Sequence, residues 1–431
     1  MAIIPQMKLF AWNEIQTLGD LERLRLVLDY MPDEALMRTL ERRRGKGRDD
    51  YPVRAVWNSI LAGIVFQHDT VEKLRRELMR NGQLREMCGF GNQVPPSWVY
   101  TRFLKTLMEY EALIDSMFHH IVQELSEALP GFGKHLAMDS KAVTSFAKRK
   151  NKNETPDGRR DIDADYGRKE YRGVHEDGTL WKKIVKWFGY KLHLIVDATY
   201  ELPVMFSVTK ASEPDINEAH RMLMQMEKKQ PDVLEAAETM AADKAYDDTK
   251  LITILWDQYN IKPVIDIRNM WRDEDKTRVL EGKENVVYDY KGTVFCVCPE
   301  TGVQREMAGG GFEKDRNTLK KLCPAKQYGT ACKGEAKCPV AQGIRIPLTE
   351  DRRIFTPIDR SSYKWERMYA KRTAVERVNS RLDVSFGFEL HTIRGMAKMK
   401  MRCGLALSVM LAMALGRIKE NQAEKMRSLV S

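Results

Sequence analysis

The sequence predicts an α/β core, preceded by an all-α N-terminal domain and interrupted by a small cysteine-rich insertion. Three observations predict this. From Leu21 to about Leu129, apolar residues recur at helical spacing. After Pro130-Gly131 the texture becomes short alternating strands separated by helices. Between about Asn269 and Arg353 that alternation lapses, and five of the seven cysteines fall in the gap. The expected divisions are therefore 1–130, 131–268, 269–353 and 354–431.

In the first division Val53, Val56, Trp57, Ile60, Leu61 and Ile64 share one helical face, as do Leu74, Leu78 and Leu84. Gly89-Phe-Gly-Asn92 and Pro95-Pro96 break the pattern, and Ser97 is placed to cap a helix carrying Trp98, Phe103, Leu104 and Leu107. Two readings fit. One is a helix-turn-helix presenting Tyr100, Thr101, Arg102 and Lys105 to DNA; the other is a plain helical bundle with a polar face.

In the second division His135 to Met138 forms a strand that closes on Asp139. A hydrophilic stretch from Lys148-Arg-Lys-Asn-Lys152 to Asp177-Gly178 is too long for a tight turn and reads as a loop, its basic cluster either tracking a DNA backbone or simply solvated. Leu192, Leu194 and Val196, then Val204, Phe206 and Val208, alternate as a hairpin turning at Asp197 to Glu201, which places Lys191 and His193 on a strand beside Asp139. Ser212-Glu-Pro-Asp215 resembles a capping box before a helix through Ala219, Met222, Leu223 and Met226. Met240 to Ala242 is a strand closing on Asp243, Asp248 caps a helix with Leu251, Ile254 and Leu255, and Pro263 to Ile267 is the next strand. This is the element order of a ribonuclease-H-like core. In the last division Tyr369, Arg372 and Glu376 share a helix face. The apolar run Cys403 to Leu415 is shorter than a membrane span and reads as a buried helix.

Asp139, Asp243 and Glu376 are the candidate catalytic residues. A lone Asp after a strand is usually a turn or cap residue. Two strand-end carboxylates and one on a helix, however, can converge on a pair of Mg²⁺ ions about 3.5–4 Å apart, which demand oxygen ligands. Net charge is +10 with a sequence pI of 9.1, a balance that favours polyanionic partners.

Together these residues resemble the bacterial DDE insertion-sequence transposases with a Tyr-Arg-Glu-Lys signature. Tyr369, Arg372 and Glu376 match the signature; its Lys position is Asp383 here. Ala242-Asp243-Lys-Ala-Tyr246-Asp247 and Gly189-Tyr-Lys191-Leu-His193-Leu-Ile-Val-Asp197 extend the similarity over roughly residues 30–415. The resemblance implies Mg²⁺-dependent cleavage of element ends and strand transfer, with Asp139 bridging two Mg²⁺ ions and Asp243 and Glu376 holding one each. It also implies that Tyr369, Arg372 and Arg381 contact DNA phosphate. The partners it implies are double-stranded DNA, as terminal inverted repeats and target, bound by a homodimer. The alternatives are an Mg²⁺-dependent nuclease without strand transfer and a DNA-binding protein without catalysis. Asp197 and Asp266 are expected to lie outside the site.

Cys296, Cys298, Cys323, Cys332 and Cys338 sit beside Gly and Pro at short spacings, which suits either a structural Zn²⁺ knuckle or unliganded reduced thiols. Met1-Ala-Ile-Ile-Pro5 is not followed by an apolar core, so the expectation is a soluble cytoplasmic, nucleoid-associated bacterial protein with no membrane partner.

Overall fold

The computed structural model describes residues 19–46, 50–148, 160–175, 177–272 and 275–428. Met1 to Pro5 and the basic cluster Arg149 to Lys152 lie outside them. Seven helices come first: α1 (Leu21–Tyr30), α2 (Glu34–Arg44), α3 (Val53–Val65), α4 (Val71–Arg80), α5 (Gly82–Cys88), α6 (Ser97–Met108) and α7 (Glu111–Ala128). Thr70 and Asn81 cap α4 and α5 by accepting from the N–H groups of Lys73 and Leu84. Ser97 does not act as the expected cap; Pro96 holds that position and Ser97 is the first helical residue. Trp57 is fully buried, and its indole N–H meets Asp33 at 2.5 Å. Tyr100, expected on a DNA-facing surface, is fully buried with its hydroxyl 3.1 Å from Ser59 Oγ. Of that set only Thr101, Arg102 and Lys105 are exposed.

A mixed sheet follows. β1 (His135–Thr144), β2 (Asp165–Val174), β3 (Leu180–Asp197), β4 (Leu202–Lys210), β5 (Thr239–Ala242) and β6 (Lys262–Ile265) run in the order β2-β3-β1-β5-β6, with β4 paired to β3. β1, β5 and β6 are parallel, and β3 is antiparallel to β1 and to β4. The connections are α8 (Asp215–Lys229), α9 (Pro231–Ala236) and α10 (Thr249–Thr253), the last running into a π turn at Ile254–Gln258. Asp248 caps α10 as expected, through Leu251 N–H. Ser212 does not cap α8; its hydroxyl goes to Asp165 instead.

The third region holds two small antiparallel sheets. One is built from β7 (Arg278–Leu280), β8 (Lys283–Tyr288), β9 (Val294–Val297) and β10 (Gln304–Glu306), the other from β11 (Ala308–Glu313), β12 (Thr318–Leu322) and β13 (Ile344–Pro347), with the short α11 (Pro324–Tyr328) beside them. Three helices end the described chain: α12 (Tyr363–Ala370), α13 (Thr373–Phe386) and α14 (Met396–Lys419). α14 is long and apolar enough by composition to cross a membrane, but 78% of its apolar window is buried in the protein, against α7, α1 and β4. Its burial is the reason that the N-terminal helices and the sheet share one hydrophobic core, running from Leu21 to Leu415. Residues from Trp256 to Phe355 gather in a second core of their own.

Gly189 sits where β3 bends across β1, and a Cβ there would lie 2.2 Å from Val143 O. Gly189→Ala should therefore destabilise the protein by about 2–3 kcal/mol, read from the midpoint and slope of a urea transition. An unchanged midpoint would mean that the strand crossing relaxes freely.

Two histidines are held neutral by the fold. Burial lowers His193 well below its usual range, and burial with nearby Arg402 lowers His391 to about 4. Their native forms bind fewer protons than the unfolded chain below about pH 6.5, so their contribution is intact above that pH and is lost as pH falls toward 4. The thermal midpoint should drop over this window, and His391→Gln should flatten the drop. An equally steep drop in that variant would remove His391 as a cause.

Candidate active site

The register of the parallel strands places the acids. Met138 pairs with Ala242, and Ala242 pairs with Ile265, so Asp139, which lies midway along β1 and not at its end as the sequence suggests, sits beside Asp243 and Asp266, the residues just past the ends of β5 and β6. The sequence alone sets Asp266 outside the site. Nothing local distinguishes it, and only the pairing of β5 with β6 brings it alongside. Asp139 accepts from Ser140 N–H and Asp243 from Ala245 N–H, each at 2.7 Å, which fixes the first carboxylate on the strand and the second over the turn that follows β5. Burial, and then the neighbouring charge of Asp243, push the Asp139 carboxyl up to about 6.

α13 lies along β1 and supplies the third acid. Arg372 sits between the two elements, 2.8 Å from Glu376 and 3.8 Å from Asp139. Its guanidinium lies over the Tyr369 ring, which stacks on Trp365 at 4.7 Å between centroids. Burial and then the charge of Asp266 raise the Tyr369 phenol. Tyr246, on the turn after Asp243, is fully buried, and burial with the charge of Asp139 raises it further.

Two cations carry no signal in the sequence that would have found them. Lys169 on β2 donates to Ser140 O at 2.9 Å, and its charge acts on Asp139 to lower its pKa. Lys141, two residues along β1 on the Asp139 face, contacts Asp383 at 2.5 Å and Glu389 at 3.3 Å. Asp383 lies two turns along α13 from Glu376, so the strand–helix seam carries an acid–Arg–acid cluster at one point and a Lys–acid cluster at the next. The charge absent from position 383 is present opposite it, on the strand.

Other expected contacts are turned elsewhere. Arg381 follows Glu376 by five residues, about 140° around the helix, and it donates to Glu201 O at 2.5 Å. In this structure Arg381, expected on DNA phosphate, is engaged with Glu201. Lys191 is buried, donating to Glu213 O at 2.8 Å and Asp215 at 3.0 Å, and His193 Nε2 is 2.8 Å from Thr209 Oγ1. Both are structural. Asp197 accepts from the N–H groups of Gly133, Thr199 and Tyr200 and holds the hairpin turn.

The zinc knuckle expected of the cysteines finds no support. All are free thiols, and among the described residues no group of three or more His, Cys, Asp or Glu is arranged to hold a metal ion. Thr301 and the N–H groups of Glu300 and Thr301 engage Cys298 and lower its thiol to about 6, while Asn285 approaches Cys338 at 3.7 Å. Cys296, raised to about 11 by burial, has Cys323, Cys338 and Cys332 as charged neighbours. The same finding covers the carboxylates, because Arg372 occupies Glu376. As a donor set they still suit a divalent ion, being all oxygen with mutually repelling charge.

Residues 130–412 match the Transposase DDE domain family. The chain belongs to that family. It is therefore a DNA transposase, an enzyme that cuts DNA and transfers strands, and such enzymes use divalent metal ions. No curated protein matches this transposase. Among solved structures it is similar to a piggyBac transposase, seen by cryo-EM in a synaptic complex with hairpin DNA, at 10% identity and a TM-score of 0.37, covering 96% of this chain and 80% of that one. That score is too low for a shared fold to be read from it.

Proposed function

We propose that Asp139, Asp243 and Glu376 are the catalytic carboxylates of this transposase, carried on a ribonuclease-H-like core and holding two Mg²⁺ ions. The observation that supports this most is the register that places Asp139 and Asp243 side by side, with Glu376 bridged to Asp139 through Arg372. The strand order β4-β3-β1-β5-β6, with β3 antiparallel to both β4 and β1, supports the core assignment.

Ions bound there would lower the pKa of a water or a DNA 3′-hydroxyl and stabilise the leaving oxygen. Arg372, freed from Glu376, is placed to take a non-bridging phosphate oxygen by a charge-assisted contact. The Trp365–Tyr369 stack holds Arg372 at the required height. Lys169, reaching from β2 to Ser140 O, supplies further positive charge beside Asp139, and Lys141 on β1 stands opposite position 383, where it pairs with Asp383 and Glu389. The substrates would be terminal inverted repeats and target DNA, brought together by a homodimer, as in the Tyr-Arg-Glu-Lys group of insertion-sequence transposases.

A strand-transfer assay with a pre-cleaved terminal-repeat end tests the reading. Joined product is expected with Mg²⁺ or Mn²⁺ but not with Ca²⁺, whose coordination shell is larger and looser. Cutting without joining under every condition would reduce the activity to that of a nuclease.

A further inference from the structure

β3 is much longer than the strands that it meets in the sheet. Its second half, from Gly189 to Asp197, pairs with β1 and lies against β4, but its first half, Leu180 to Phe188, pairs with β2 alone. Tyr166–Val174 and Leu180–Phe188 thus form a free two-stranded ribbon, nine residues a side and roughly 30 Å long at about 3.3 Å per residue. Two glycine–tryptophan pairs shape it. Trp187 and Trp181 lie across Gly167 and Gly173 on the partner strand, so closely that a Cβ at either glycine would fall 2.3 Å and 2.4 Å from the indole.

The ribbon is basic. Arg168, Lys182, Lys183 and Lys186 are exposed. Glu170 takes up Arg168 and Lys182, at 2.7 Å and 3.1 Å, while Lys183 and Lys186 have no acidic partner among the described residues. Between these cations stand exposed apolar groups, among them Leu180, Ile184 and Val185. The middle of the ribbon reaches the carboxylates, because Lys169 bonds Ser140 O, next to Asp139.

We propose that this ribbon is a DNA clamp, gripping the phosphate backbone of the duplex whose scissile bond lies at Asp139. This deepens the active-site proposal and rests on it. A two-stranded ribbon fits a major groove, and the unpaired lysines are complementary to phosphate. A second copy of this chain is the competing occupant. The interleaved, unneutralised lysines favour DNA over it, since two copies would bring like charges together.

The test uses the full chain in an Asp139→Asn background, so that binding is measured without cleavage. Lys182, Lys183 and Lys186 are all replaced by Ala, or all by Arg. If each of the three neutralises one phosphate, the Ala triple should make the slope of log K against log salt shallower by about 2.7. Duplex affinity should fall at least tenfold for the Ala triple and be restored in the Arg triple. Wild-type slope and affinity in the Ala triple, while the unmutated enzyme still cuts DNA, would overturn the clamp and leave the transposase site standing. Loss of DNA-free self-association with an unchanged salt slope would also overturn it, making the ribbon a protein interface. If the unmutated enzyme neither binds nor cuts any duplex, the active-site reading falls first and the clamp with it.

Discussion

Asp139→Asn, Asp243→Asn and Glu376→Gln should each lower DNA cleavage and joining by at least about a hundredfold while leaving duplex binding close to wild type. An amide keeps the carboxylate's shape but not its charge, so the change removes metal affinity without opening a cavity. Folding should not suffer. Asp139 and Asp243 repel each other on adjacent strands, and removing either charge relieves that repulsion, so the two Asn variants should melt at or above the wild-type temperature. Loss of activity together with a lowered melting temperature would point instead to a structural role.

The controls follow from the structure. Asp266 ends the next strand, and Asp197 holds three backbone N–H groups, so neither is neutral. Glu306 and Asp315 are exposed in the inserted sheets, and Glu306→Gln and Asp315→Asn should retain full activity. Full activity in any of the three site variants would remove that residue from the site.

Deleting residues 1–130 should leave a protein that does not fold, rather than a catalytic core without its DNA reader. α14 is buried between α1, α7 and β4, and all contribute to one hydrophobic cluster. Without the N-terminal helices, the apolar side chains of α14 that face α1 and α7 would be left in water, at about 25 cal/mol per Å² of apolar surface. An ordinary domain is stable by only about 5–15 kcal/mol, so the loss of so much shared core bears directly on folding. The expected outcome is an insoluble or aggregated product, or a soluble one without a cooperative thermal transition. A truncated protein with a sharp transition would show that the shared core divides after all. DNA reading by the helices is better tested by Arg102→Ala with Lys105→Ala. Both residues are exposed on α6, with Arg102 over the Trp98 ring at 4.7 Å, and their loss should weaken terminal-repeat binding without changing the melting temperature.

The sequence by itself pointed to much of the order of helices and strands, the hairpin turn at Asp197 to Glu201, the Asp248 cap and the three candidate acids. These are legible because hydrophobic period and capping chemistry act between residues a few positions apart. It read as loop the stretch that holds β2 (Asp165–Val174), which pairs with β3 and has no apolar period of its own. The tertiary structure alone decided what meets across the chain. Asp266 joins the row of acids through the β5–β6 pairing, and Lys141 faces Asp383 across 242 residues. Arg381 goes to Glu201 because helix rotation points it there, and Tyr100 goes inward to Ser59. Cys296 lies near Cys323, Cys332 and Cys338, residues from separate strands and loops. In each case the deciding energy is a hydrogen bond, an ion pair or a burial between elements far apart in sequence, and no periodicity or spacing in the chain records which partner a side chain will find.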